Sequence, residues 1–385
     1  MPLITINDTA CYYRLDGPDN APVVLMSHSL GLDHTMWDPQ ARDLARYCRV
    51  LRYDTRGHGA SGAPDGDYSI EMLGRDAHAL VDALGIDQFA VVGLSLGGMV
   101  GMWLAAHAPT RVTHLVIASS TARPNADAME TRRRAVVAGG MASVCEAVLS
   151  RFFSPHVIAA NTPNVAAARR VLLATDAIGY AGSVAAVRDA DLRDVLSRIS
   201  TPTLVIGTDA DPAMPWADHN RLVAEGIPGA KVVMLKGAHL SNLEAPRAFG
   251  AALCDFLLPR PTDALQAGMA TRRMMLGDAH VDRAVAATTD FTRTFQEQIT
   301  RNAWGDLWTR PGMSPDTRRL ITLAICAALG RSEEFRLHVR TGLSRELEQC
   351  DLEEVLLQVA VYAGVPAANT AFHIAVEELA ERAKP

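Results

Sequence analysis

The sequence predicts two domains of different class: an α/β layer domain with a mainly parallel sheet and a helical cap, then a separate all-helical domain. Three observations carry this. Short apolar runs bounded by turn residues alternate with helix-spaced stretches from residue 2 to residue 118. Residues 126–199 then hold helical patterns alone, before two more strand-like runs. Beyond Pro259 no strand pattern recurs. A chain of 385 residues is also long for one ordinary domain.

Taken in order, residues 2–15 alternate loosely and read as opening strands. The turn Asp16-Gly-Pro-Asp-Asn20 leads into Val23-Val-Leu-Met26, a short apolar run of the kind an interior strand shows. A helix is expected near 36–46, a strand at Arg49–Tyr53, and a helix over 69–84 that Gly85 stops. Phe89–Val92 is the next strand, Met99–Ala106 the helix after it, and Leu115–Ala118 another strand. The helical excursion over about 122–199 reads as a cap inserted between two parts of one sheet. Thr203–Ile206 and Lys231–Leu235 complete the sheet, and 244–258 closes the domain as a helix. The expected domains are therefore 1–258, a linker over 259–270, and 271–385. Helices are expected at 264–276, 281–301, 315–330, 332–346, 351–363 and 366–382, with breaks at Pro311-Gly312 and Gly364-Val-Pro366.

Apolar residues make up 49% of the chain, enough to fill sizeable cores. A formal charge of −6 without an extended basic tract argues against a nucleic-acid partner. The six cysteines lie far apart with no C-x-x-C, which points to neither a zinc site nor a disulfide framework. The N-terminus lacks a basic segment followed by an apolar one, and no stretch reads as a membrane span, so a cytoplasmic location is expected.

The chemistry centres on Gly93-Leu-Ser95-Leu-Gly97-Gly98, lying between an apolar strand and an apolar helix. Glycines at 93 and 97 permit a sharp turn that presents the Ser95 hydroxyl beside the free N–H groups of a helix start. A serine hydroxyl needs a base, and the base an orienting acid. In an α/β sheet these follow late strands in the order acid, then histidine. The loop after Thr203–Ile206 holds Asp209 and Asp211, of which Asp211, before Pro212, is the preferred acid. His239 follows the last strand. The Leu96 N–H, next to the nucleophile, is one natural oxyanion donor; Ser29 or Leu30, after the Val23–Met26 strand, supplies the other. His28 is read as support for that loop, and Asp54, Arg56, His58 and Gly59 as a structural turn.

His28-Ser-Leu-Gly31, Asp54-Thr-Arg-Gly-His-Gly59, Gly93-Leu-Ser-Leu-Gly-Gly98 and Gly237-Ala-His-Leu-Ser-Asn-Leu-Glu244 resemble the α/β-hydrolase family, and within it the 3-oxoadipate enol-lactonase branch, over roughly residues 1–258. The resemblance places Ser95, Asp211 and His239 at the triad positions.

In the helical domain, Glu334 and His338 are four apart and share one helix face, a spacing that serves a proton-transfer pair or an ordinary surface pair equally well. Gly312-Met-Ser-Pro-Asp-Thr-Arg-Arg-Leu-Ile-Thr-Leu-Ala-Ile325, Gly330-Arg-Ser-Glu-Glu-Phe-Arg-Leu-His338 and Tyr362-Ala-Gly-Val-Pro-Ala-Ala-Asn-Thr-Ala-Phe-His373 resemble the 4-carboxymuconolactone decarboxylase family, a small all-helical fold shared with alkylhydroperoxidase-like proteins. Relatives that act on peroxides use a C-x-x-C pair, which is missing here. The resemblance implies His338 as proton donor or base with Glu334 beside it, and Arg318 or Arg319 as a carboxylate ligand. It leaves His373 between core, subunit contact and pocket. One departure from the family pattern is Glu346, where relatives usually carry glycine, with Gly342 a few residues earlier; a shifted helix end there would alter the pocket rim.

Together the two resemblances imply consecutive steps of aromatic catabolism: decarboxylation of 4-carboxymuconolactone to 3-oxoadipate enol-lactone, then hydrolysis of that lactone to 3-oxoadipate. No cofactor or metal is implied. The expected partners are small anionic lactones, with no nucleic acid or membrane, and a homo-oligomer formed through the helical domain. Anionic substrates direct attention to Arg132, Arg133 and Arg134 in the cap as carboxylate ligands, with Arg133 and Arg134 preferred, and to Trp37 as a pocket wall or core residue. The rival reading is a generic serine carboxylesterase or C–C hydrolase whose helical domain serves assembly alone.

Overall fold

The computed structural model describes residues 2–258, 264–310, 312–345 and 347–382. Two compact units divide between Leu258 and Pro259.

The first unit is built on eight strands, β1 (Leu3–Ile6), β2 (Thr9–Asp16), β3 (Val23–Ser27), β4 (Arg49–Tyr53), β5 (Phe89–Leu94), β6 (Val112–Ala118), β7 (Thr203–Thr208) and β8 (Lys231–Leu235). They form one sheet in the order β1-β2-β4-β3-β5-β6-β7-β8. The β1–β2 and β2–β4 pairs are antiparallel, and every pair from β4 through β3, β5, β6 and β7 to β8 is parallel. β5 is buried along its whole length, as its unbroken apolar run requires of a strand covered on both faces.

Helices α1 (Asp38–Leu44), α2 (Ile70–Ala83) and α3 (Leu96–His107) alternate with the early strands. The Ser69 side chain accepts the Met72 N–H and caps α2. Between β6 and β7 the chain leaves the sheet as the helical cap: α4 (Ala126–Gly139), α5 (Cys145–Phe152), α6 (Pro155–Ala159), α7 (Pro163–Ala174), α8 (Ala177–Arg188) and α9 (Arg193–Leu196). Helices α10 (Asn220–Gly226), α11 (Ser241–Glu244) and α12 (Pro246–Leu257) finish the unit.

The second unit is all-helical where described: α13 (Ala264–Leu276), α14 (Asp278–Ala286), α15 (Asp290–Ile299), a π-helical segment (Thr300–Leu307), α16 (Pro315–Ala328), α17 (Ser332–Leu343), α18 (Gln349–Tyr362) and α19 (Val365–Arg382). Two expectations need correction here. The linker over 259–270 is helical from Ala264, because α13 packs backbone-close on the π-helical segment: a β-carbon on Gly268 would lie 2.0 Å from the Thr300 carbonyl oxygen, and one on Gly305 would lie 2.1 Å from that of Ala264. Residues 259–263 lie outside the described residues. The single helix expected over 281–301 is two, α14 and α15. Threonine side chains compete for the backbone at the break: Thr288 Oγ1 donates to the Ala284 carbonyl, and Thr289 and Thr292 form a reciprocal capping box. Glu346 also lies outside the described residues. No single helix among the described residues is long and apolar enough to cross a membrane.

Candidate active sites

In the first unit Ser95 joins β5 to α3 at φ 57° and ψ −114°, a strained conformation for a residue with a β-carbon. Glycine on either side is obligatory. A β-carbon at Gly93 would lie 2.1 Å from the Gly97 carbonyl oxygen, and one at Gly97 would lie 2.0 Å from that of Ser27. The bend is held by the Ser95 N–H donating to Ala118 O at 2.9 Å and by Ser120 Oγ donating to Ser95 O at 2.7 Å.

His239, buried in the loop after β8, shares a 2.9 Å hydrogen bond through Nδ1 with Asp211 Oδ2. The other Asp211 oxygen accepts the N–H groups of Ala213 at 2.8 Å and Met214 at 2.9 Å. Burial alone would push the Asp211 carboxyl up; the charge and hydrogen bond of His239 and these two N–H donors outweigh it, and the pKa lies below the ordinary value of 3.8. Asp209 instead accepts the Gly237 N–H at 3.1 Å. His239 and Ser95 line the same cavity, with Leu30, Leu96, Arg132 and Arg151.

The loop bearing Ser29 and Leu30 is pinned by two buried imidazoles. His28 Nε2 accepts the Thr55 N–H and His58 Nε2 accepts the Gly31 N–H, each at 2.9 Å, so each ring carries its proton on Nδ1, which donates to a carbonyl. Burial holds His58 down at about 3, a neutral acceptor at any physiological pH. Arg56 forms a buried two-bond ion pair with Asp76, and Asp54 accepts the backbone N–H groups of His34 and Ala60. The Asp54–Gly59 turn is thus scaffolding. The Ser29 N–H is engaged by Met36 Sδ at 3.2 Å.

The second unit gathers a different set of groups. His338 on α17 is 8% exposed and stacks against Trp304 of the π-helical segment (centroids 6.4 Å, planes 19° apart) and Trp308 directly after it (6.0 Å, 9°). Fully buried Arg319 sits 3.4 Å from His338 Nδ1 and donates to His338 O, Thr341 Oγ1 and Met275 O. A guanidinium only donates, so Nδ1 presents its lone pair and the neutral ring carries its proton on Nε2. Burial, then the charges of Arg319 and His280, bring the His338 pKa down to about 4.

Two family models match. The alpha/beta hydrolase fold covers residues 22–144 and the carboxymuconolactone decarboxylase family covers residues 293–377. The 3-oxoadipate enol-lactonase 2 of Acinetobacter baylyi is 36% identical over 251 residues, 65% of this chain and 94% of that protein. The 4-carboxymuconolactone decarboxylase of the same organism is 42% identical over 110 residues, 29% of this chain and 82% of that protein. The chain belongs to the α/β-hydrolase and carboxymuconolactone decarboxylase families, fused in that order. The crystal structure of the enol-lactonase from Burkholderia xenovorans LB400 superposes on the hydrolase unit with a TM-score of 0.66 at 39% identity, covering 67% of this chain and all of that one.

Several expected binding residues lie elsewhere in the hydrolase unit. Arg133 pairs with Asp67, and Arg134 pairs one turn back with Glu130 on an exposed face. Of the three cap arginines it is Arg132 that faces the cavity, because consecutive helical residues point about 100° apart. Trp37 is 0% exposed and packs on Phe249 in the core, 6.0 Å between ring centroids. Sequence reading missed Arg151, whose pKa is lowered by burial and by the neighbouring Arg132 charge. It missed Phe152 as well, which stacks on His239. Neither belongs to a motif; both reach the site because α5 ends over it.

Corrections also apply in the decarboxylase-family unit. Glu334 is exposed, and the groups around His338 are Trp304, Trp308, Arg319 and His280. The helix geometry puts the Glu334 carboxylate at the solvent-facing first turn of α17 while His338 turns inward. Arg318 donates to the Arg310 carbonyl, and it is Arg319 that enters the interior. His373 is exposed.

Proposed function

We propose that the decarboxylase-family unit converts 4-carboxymuconolactone to 3-oxoadipate enol-lactone and that the hydrolase unit opens this lactone to 3-oxoadipate. The observation that carries the reading is His239, held by Asp211, lining the same cavity as Ser95 together with two arginines suited to an anionic lactone. The relatives of the two halves support it, one being a 3-oxoadipate enol-lactonase and the other a 4-carboxymuconolactone decarboxylase.

In the hydrolase unit His239 takes the Ser95 proton as Oγ attacks the lactone carbonyl. The N–H groups of Leu96 and Leu30 stabilise the oxyanion; the Ser29 N–H is already engaged by Met36. Collapse breaks the ring C–O bond, His239 returns its proton to the enolate oxygen, and the enol becomes a ketone. Water, deprotonated by His239, then releases the acyl group from Ser95. Arg132 and Arg151 bind the carboxylate side arm and orient the ring.

In the other unit the bond to the departing carboxylate breaks and its electron pair runs through the ring double bond into the lactone carbonyl. The substrate is its own electron sink. His338, protonated when the anionic substrate is bound beside it, delivers its Nε2 proton to the carbon next to that carbonyl and returns to the neutral imidazole, which leaves the double bond in the enol-lactone position. Carrying both sites on one chain fixes their effective concentration at any dilution.

The decarboxylase-family unit also assembles the oligomer. Ile321 and Ile325 on α16 and Leu329 at its C-terminal cap are exposed at four-residue spacing, as are Leu357 and Val361 on α18, a stripe that a second copy would cover.

Supplying 4-carboxymuconolactone to the purified chain tests the whole reading: CO₂ release, transient enol-lactone and accumulation of 3-oxoadipate are expected. Hydrolysis of simple esters with both lactones left untouched would overturn it in favour of a generic carboxylesterase.

A further inference from the structure

The buried charged side chains of the decarboxylase-family unit, among the described residues, are Arg272, Arg319, His338 and Glu378. Glu378 is held by Arg336 and Arg340 on its own side of the unit. Arg272 is different. It is 7% exposed, its guanidinium donates through one nitrogen to the neutral acceptors Gln296 Oε1 at 3.1 Å and Thr300 Oγ1 at 3.4 Å, and its buried Nε has no acceptor. A cation buried against neutral partners is held at a cost that an anion would relieve.

The backbone places this cation beside the His338 site. Gly268 and Gly305 let α13 and the π-helical segment touch, so Arg272, one turn beyond Gly268, reaches Thr300. One and two turns beyond Thr300, Trp304 and Trp308 present their rings to His338. His280 on α14 is only partly buried; burial and then the Arg272 charge lower its pKa, and it contributes in turn to lowering that of His338, which puts it near both.

We propose that Arg272 and His280, with His338, form an anion-binding subsite for a small dicarboxylate, in which Arg272 grips the carboxylate that the reaction retains. The subsite rests on the decarboxylation assigned above, and it gives that reaction its orientation. With the retained carboxylate fixed at Arg272, the ring lies along the Trp304–Trp308 wall and turns its protonation site toward His338. Binding energy from a non-reacting group is thereby used to position the reacting one.

The test uses the full chain and the non-decarboxylating dianion cis,cis-muconate, titrated calorimetrically in an Arg132→Met, Arg151→Met background that removes both cations of the hydrolase cavity. Arg272→Gln and Arg272→Met are expected to weaken binding about tenfold or more and Arg272→Lys less, since the guanidinium fork suits a carboxylate. His280→Gln, at a partly exposed position that leaves the fold intact, is expected to weaken it about threefold. In CO₂-release assays the same variants raise KM for 4-carboxymuconolactone in that order while lowering kcat less. Unaltered muconate affinity in both Arg272→Gln and His280→Gln would overturn the subsite, as would failure of the parent chain to bind the dianion. Muconate binding through Arg272 in a chain that releases no CO₂ would overturn the decarboxylation instead and leave the subsite standing.

Discussion

The ring of Phe152 lies nearly parallel to the imidazole of His239, with centroids 5.7 Å apart and planes inclined by 11°. Phe152 ends cap helix α5, and its carbonyl accepts the Leu240 N–H at 3.0 Å. The cap therefore covers the substrate cavity and also braces the base. Glu244 reinforces the joint: it accepts the Ala238 N–H at 2.6 Å on one side and both the N–H and the hydroxyl of Ser154 on the other.

Replacing Ser95 by Ala is expected to lower lactone hydrolysis by at least about 10³-fold, with CO₂ release from 4-carboxymuconolactone unchanged and enol-lactone accumulating. Asp211→Asn removes the carboxylate that sets the His239 tautomer and should cost about 10⁴ in kcat. Separate assays of the two steps check both.

Arg151→Met should raise KM for the enol-lactone about tenfold or more with a smaller change in kcat, and Arg132→Met likewise. Arg133→Ala and Arg134→Ala, whose side chains pair at the cap surface with Asp67 and Glu130, should leave KM within about twofold. Steady-state kinetics on the four variants distinguish the two faces of α4 and α5.

Glu244→Gln keeps the size of the side chain but turns an NH₂ toward one of two backbone N–H donors, Ala238 or Ser154, leaving that donor without an acceptor. The His239 loop and the end of α5 should then part slightly. A fall of about tenfold in hydrolytic kcat with KM moved less is expected, with a lowered melting temperature.

His338 gives the decarboxylase-family unit a stability that depends on pH. Its folded pKa is about 4 against an ordinary 6.5, so between those values the unfolded chain binds the additional proton. Stability from this group is complete above pH 6.5 and is lost as pH falls toward 4. Thermal melts across that window should show a steeper decline for the wild type than for His338→Gln.

Ile325→Glu on the exposed apolar stripe of α16 should lower the sedimentation coefficient in sedimentation velocity, as loss of the proposed self-association requires, while leaving lactone hydrolysis intact. An unchanged sedimentation coefficient would assign assembly to another surface.

What could be read from the chain alone was local in origin. Apolar runs of strand length, helix-spaced stretches and capping residues each depend on near neighbours, so β4 and β8 occupy the residues expected and the cap interrupts the sheet where strand patterns stop. The bend at Ser95 was legible for the same reason: glycines at 93 and 97 are demanded by backbone atoms a few residues away or on the adjoining strand. Tertiary structure decided which side chains meet across the fold. Arg132 rather than Arg133 or Arg134 enters the cavity because of how α4 is rotated on the cap, and Arg151 joins it because α5 ends over His239. Glu334 and His338 share a helix face at their spacing, yet packing against Trp304 and Trp308 draws the imidazole inward and leaves the carboxylate in water. Arg272 carries no motif at all. Its burial beside Thr300 follows from two glycines that let two helices touch, a contact between residues too far apart in sequence for any local pattern to announce.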